Sequence, residues 1–121
     1  MYAKEYRESV KIKLKKDENK KILVKYDVYQ KVFKFRWTLF TNDNLVVFQS
    51  YDRAVSQKML SSSFRRQSYR VELKTRGANH YAVPYILVKF KEYDYETGEV
   101  TFELFLSDER EEVSLKYLEN S

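Results

Sequence analysis

The chain has no cysteine, which removes disulfides, thiolate nucleophiles, thiol redox sensing and thiolate metal sites together. Its one histidine is His80, so paired-histidine acid–base catalysis and multi-histidine metal sites are out of reach within one chain. Two glycines, Gly77 and Gly98, stand alone. A loop that cradles phosphate needs glycines at close spacing, so both read as turn residues. The single proline marks no linker. The acidic clusters Glu92/Asp94/Glu96 and Asp108/Glu109/Glu111/Glu112 lack the spacing of a calcium loop. No catalytic residue, metal site or cofactor is therefore expected. Nor is a membrane span: the longest uncharged stretch near the centre, Gly77 to Val88, is shorter than the ~20 apolar residues required and includes Asn79, His80 and Pro84. The opening Met-Tyr-Ala-Lys-Glu-Tyr-Arg-Glu-Ser has no apolar core behind a basic start and does not read as a secretory signal. A soluble, cytoplasmic protein without membrane association is the expectation.

What the chain has is aromatic mass and sorted charge. Its 121 residues include 11 Tyr, 8 Phe and one Trp, and 43% are apolar, enough for one domain spanning residues 1–121 to bury about two-thirds of its unfolded surface. Residues 1–79 carry 19 Lys/Arg against 8 Asp/Glu, while residues 80–121 carry 4 against 10. A modest net charge of +5 thus hides a bipolar chain. Such a gradient acts on partners and association rather than on fold.

Period-two alternation dominates, the mark of half-buried strands. Val10, Ile12 and Leu14 oppose Lys11, Lys13 and Lys15. Ile22, Val24, Tyr26 and Val28 share a face, and Phe33, Phe35, Trp37 and Leu39 oppose Lys34, Arg36 and Thr38. Tyr69, Val71 and Leu73 alternate in a further strand, as do Ile86, Val88 and Phe90, and Val100, Phe102, Leu104 and Leu106. Lys16 to Lys20 and Arg76 to Asn79 read as turns. Thr41-Asn42-Asp43-Asn44 and Glu96-Thr97-Gly98-Glu99 supply residues that tolerate hairpin geometry. Two segments read as helices. Asp52 is placed as an N-cap, with Val55 and Met59 four apart behind it, predicting a helix from Asp52 to Ser62. Asp108 with Glu111 resembles a capping box, predicting a second from Glu109 to about Glu119, although Val113, Leu115 and Tyr117 also alternate. The expectation is an α+β domain of about six antiparallel strands with a central and a C-terminal helix.

Three functional readings remain. The first is a non-enzymatic binding module for RNA or single-stranded DNA. Lys11, Lys13 and Lys15 line one strand, Lys34 and Arg36 another, and Phe64, Arg65, Arg66 and Arg70 lie in or beside the polar segment Ser61 to Ser68. Cations that track phosphates and aromatics that stack bases make this kind of surface, with Tyr2, Tyr6, Tyr29, Phe64 and Phe105 as stacking candidates. The second is a protein-interaction or homodimeric module, in which basic and acidic surfaces meet and Leu87 and Phe105, apolar on otherwise polar strand faces, form the interface. The third is a metal-free ribonuclease using Tyr69 with Arg65, Arg66 and Arg70. Against the first stands a plain alternative: alternating Lys is what any one-sided strand shows, and Lys on an edge strand blocks unwanted pairing. Arg65-Arg66-Gln67-Ser68 also matches a short basophilic kinase pattern, which would put phosphate beside two arginines.

Overall fold

Side-chain alternation, not helix capping, decides the secondary structure throughout. The computed structural model describes residues 6–74 and 83–119, and in it nine strands form: β1 (Glu8–Leu14), β2 (Lys20–Tyr26), β3 (Tyr29–Thr41), β4 (Asn44–Tyr51), β5 (Ala54–Leu60), β6 (Ser68–Glu72), β7 (Tyr85–Tyr93), β8 (Val100–Ser107) and β9 (Ser114–Tyr117). They make two antiparallel sheets, a four-stranded one in the order β1-β8-β7-β6 and a five-stranded one in the order β5-β4-β3-β2-β9. The chain meanders through β2 to β5, crosses at a 3-10 turn (Phe64–Arg66), and meanders back through β6 to β8. The expected α+β class is thus overturned. The described residues are nearly all β, with that one turn as their only helical piece.

Both expected helices fail for local reasons. Asp52 and Arg53 have φ of 52° and 72°, the pair of positive values that a two-residue type I′ hairpin turn requires. Asp52 therefore sits in a turn between β4 and β5 rather than capping a helix. Val55 and Met59 are four apart, but they also share a strand face, and pairing with β4 from Leu45↔Leu60 to Tyr51↔Ala54 settles the period at two. At the C-terminal end the Asp108 carboxylate accepts from the backbone amides of Glu112 (3.1 Å) and Val113 (2.8 Å) and from Arg7 Nη1 (2.7 Å). It caps a loop turn, with Glu111 at φ 53°. The chain then extends as β9 beside β2, Leu115 opposite Val24 and Tyr117 opposite Ile22. The alternating reading of Val113, Leu115 and Tyr117 wins because an open edge of β2 is there to receive it.

The turns read from composition are present where described. Asn42 and Asp43, at φ 50° and 62°, close the β3–β4 hairpin, and Gly98 adopts φ 75° in the β7–β8 hairpin. There Asp94 accepts from the amides of Glu96 (2.8 Å) and Thr97 (3.3 Å), which together hold its carboxyl below the usual range. The expected turn at Arg76 to Asn79 and His80 lie outside the described residues.

One apolar cluster fills the space between the sheets. Phe33, Phe35 and Trp37 from β3 meet Phe102, Leu104, Val88 and Phe90 from the facing sheet, with Phe35 edge-on to Phe102 at 5.2 Å. Trp37 is 3% exposed, and its indole Nε1 donates to the Leu14 carbonyl at 2.8 Å, tying β3 to the end of β1. Burying this stripe turns Lys34 and Arg36 outward, since successive residues of a strand point to opposite faces.

Candidate nucleic-acid interface

The two outer faces divide the residues singled out in the sequence. The outer face of the four-stranded sheet holds Lys11 and Lys13 on β1, Arg70 on β6, Leu87 on β7 and Phe105 on β8. Lys34 and Arg36 lie on the outer face of the five-stranded sheet. Lys15 begins the β1–β2 loop. Arg65 and Arg66 are exposed on the 3-10 turn joining β5 to β6; the side chain of Phe64 and all of Tyr2 lie outside the described set. The sequence-level basic surface is therefore not one surface.

On the four-stranded sheet, carboxylates interrupt the cations. Lys11 is the cross-strand neighbour of Glu103, and Glu103 of Lys89. Glu103 also pairs with Lys91 at 3.4 Å. Lys13 lies close enough to Asp94 to help depress its carboxyl, after the backbone amides. Leu87 and Phe105 are opposite each other, with Arg70 next to Leu87. Both are half-buried: Tyr6 lies 5.0 Å from the Phe105 ring, and the Arg70 guanidinium sits 4.2 Å from the Tyr85 ring centroid. Tyr69, by contrast, points inward. Its hydroxyl is buried without a partner among the described residues, and burial pushes its phenol up. Arg70 projects from the opposite face of β6, so the structure does not bring Tyr69, Arg65, Arg66 and Arg70 together.

The five-stranded sheet is different. Its outward strand positions carry Lys21 and Lys25 on β2, Lys34 and Arg36 on β3 and Lys116 on β9, and no Asp or Glu. Register sets them in rows. Lys21 neighbours Lys34, which neighbours Ser50 and then Val55. Arg36 neighbours Phe48, with its guanidinium carbon 5.7 Å from the ring centroid. Lys116 neighbours Leu23, which neighbours Val32. The row Leu39, Val46 and Met59 is apolar. The side chains of the five cations form no ion pair among the described residues, whereas Arg7, Lys31, Lys74 and Lys91 each do. Carboxylates are confined to the margins: Asp52 holds Lys31 at 2.9 Å, Asp43 accepts from the Ser62 hydroxyl at 2.8 Å, and Glu18 accepts from the Lys15 amide at 2.9 Å.

Across the middle of this face runs an open groove of about 220 Å³, lined by Asn19, Lys34, Arg36, Phe48, Ser50 and Val55 with the strand at Phe35 and Gln49 beneath. Val55 is 74% exposed. Sequence reasoning found Lys34 and Arg36 but missed Phe48, because Leu45 to Phe48 is a continuous apolar run in which alternation is silent. It also left out Lys21, Lys25 and Lys116, which only strand order places beside them. A further cluster closes one end of the sandwich, where Lys31 bonds Tyr26 and Asp52. Those contacts hold its ammonium above the usual lysine range. Lys74 there is held by Glu112 and Asp27, so this cluster satisfies its own charges.

Among the described residues, no group of three His, Asp or Glu side chains is placed to hold a metal ion, and no helix is long and apolar enough to cross a membrane. No family model, curated protein or solved structure matches this chain.

Proposed function

We propose that this chain is a binding module for RNA or single-stranded DNA, and that it binds across the outer face of the five-stranded sheet. The observation that carries this reading is the set of five cations, Lys21, Lys25, Lys34, Arg36 and Lys116, which form no ion pair among the described residues and share outward strand positions with no carboxylate. A polyanion approaching it meets a field of one sign, and each phosphate it neutralises releases condensed counterion. The guanidinium of Arg36 beside Phe48 adds a planar surface of the kind on which bases stack.

The test is fluorescence anisotropy with a labelled mixed-sequence RNA and the corresponding single-stranded DNA, at several salt concentrations. Micromolar binding at low salt is expected, falling with a log–log slope of about −3.5 if all five cations meet phosphate. Lys34→Glu with Arg36→Glu removes two contacts, adds two repulsions and should weaken binding by about 100-fold. No micromolar binding at low salt, or binding indifferent to that reversal, would overturn the reading. If nucleic acids fail while polyglutamate binds with the same dependence on Lys34 and Arg36, the partner is an acidic protein.

A further inference from the structure

Resting on that reading, we propose that the groove beside Phe48 is a seat for one unstacked nucleotide, with its phosphate against Lys34 and Arg36 and its base over Phe48 and Val55. The face would then require a single strand rather than merely favour one.

A phosphate track needs only cations, and the face has these well away from the groove, at Lys25 and Lys116. The groove adds what a track does not need. It has an apolar side, Phe48 half-buried on β4 and Val55 exposed on β5, next to the two cations of β3, with Ser50 beside Val55 and Asn19 on the other side of the cations at the start of β2. Arg36 and Phe48 are cross-strand neighbours, as are Lys34 and Ser50, so strand register sets cation, ring and hydroxyl in adjacent rows. The Asn19 and Ser50 side chains make no hydrogen bond among the described residues, leaving donors and acceptors at the groove rim for a sugar or a base edge. A base reaches an aromatic surface only when unstacked. In a duplex the π-faces are covered by neighbouring pairs, and a half-buried Phe48 does not project far enough to insert between them.

The experiment separates base from phosphate. Two labelled DNA strands of equal length are compared, one mixed-sequence and one abasic, together with the RNA strand and the DNA duplex as competitors. Binding is read by anisotropy, and folding of each variant by emission of the buried Trp37. Wild type should prefer the base-bearing strand over the abasic one by about tenfold, the scale of one stacked base, and duplex should compete poorly. Phe48→Ala should close that gap, and Phe48→Leu, which keeps the apolar volume without the ring, should close most of it. Lys34→Gln should weaken both strands alike. If wild type binds abasic and base-bearing strands equally, or duplex competes as well as single strand, the nucleotide seat is wrong while the phosphate-binding face stands. If no strand binds at all, seat and face fall together. RNA binding more tightly than DNA of the same sequence would place the sugar hydroxyl at Asn19 or Ser50; equal binding would leave base and phosphate as the recognised chemistry.

Discussion

Each sheet turns alternating cations outward, Lys11 and Lys13 on β1 of the four-stranded sheet and Lys34 and Arg36 on β3 of the five-stranded one. Along the sequence the two rows look the same. They differ in what lies across the strand. Lys11 faces Glu103, which is held by Lys91, whereas Lys34 lies between Lys21 and Ser50 and Arg36 beside Phe48. Directly opposed side chains have Cβ atoms about 5 Å apart, well inside the ~10 Å Debye length at 0.1 M salt. A phosphate approaching Lys11 therefore feels Glu103 as well, and one approaching Lys34 feels a second cation. Charge on a strand becomes a surface property only after strand order assigns its neighbours.

The comparison stands on the facing of β3, so the largest effect expected is on that strand's buried side. Trp37 is 3% exposed and its indole bonds Leu14. Trp37→Ala removes a large core side chain and its hydrogen bond to the Leu14 carbonyl, and should lower stability by about 3–5 kcal/mol in urea unfolding followed by circular dichroism. A variant as stable as wild type would mean that β3 faces the other way, and the two faces would have to be redrawn.

The facing of β3 was legible as far as Trp37, where Phe33, Phe35 and Trp37 alternate with cations. Leu39, expected on the same side, is 49% exposed on the outer face because the register shifts between Trp37 and Leu39. Val28, expected beside Tyr26, is 93% exposed in the turn between β2 and β3. The Asn42-Asp43 and Gly98 turns were legible because few residues tolerate positive φ. The two expected helices each rest on a carboxylate with the chemistry of a cap. Asp52 suits a type I′ turn as well as an N-cap, and Asp108 does accept backbone amides, but at a loop. Capping chemistry marks a bend in the chain without specifying whether a helix or a strand comes after it. Two of the site's residues were legible by alternation, and the rest were not. Phe48 lies in a run apolar on both faces, and Lys116 reaches the face only because β9 returns to pair with β2. Lys116 thus depends on a contact between segments far apart in sequence, and Phe48 on the register of its two neighbouring hairpins.

A middle-sized effect tests whether neutralisation, not the number of cations, separates the faces. Glu103 neighbours Lys11 and Lys89 and pairs with Lys91. Glu103→Gln keeps the shape and removes the charge, which leaves those three lysines uncompensated. In the Lys34→Glu, Arg36→Glu background, where the five-stranded face no longer holds the strand, RNA affinity at low salt should rise about threefold, and the salt slope should steepen by about 0.7, one added phosphate contact. An unchanged slope would show that compensation by Glu103 does not decide what this face binds, and the contrast between the sheets would need another cause.

The smallest effect is expected where the sequence most suggested a large one. Lys11 and Lys13 belong to the most regular alternating run in the chain, and reversing both to Glu changes the net charge as much as reversing Lys34 and Arg36. If net charge governed binding, the two double variants would lose affinity equally. If the uncompensated face governs it, Lys11→Glu with Lys13→Glu acts from the opposite sheet. Stacked sheets lie ~10 Å apart, so charges on the two outer faces are separated by at least a Debye length at 0.1 M salt. Their effect on RNA binding measured at that salt should stay within about twofold, and should grow only as salt is lowered and the screening length extends. An anisotropy titration of the two variants side by side decides it. A large loss at 0.1 M from the β1 variant would move the interface to the four-stranded sheet and return Lys11 and Lys13 to the centre of the site.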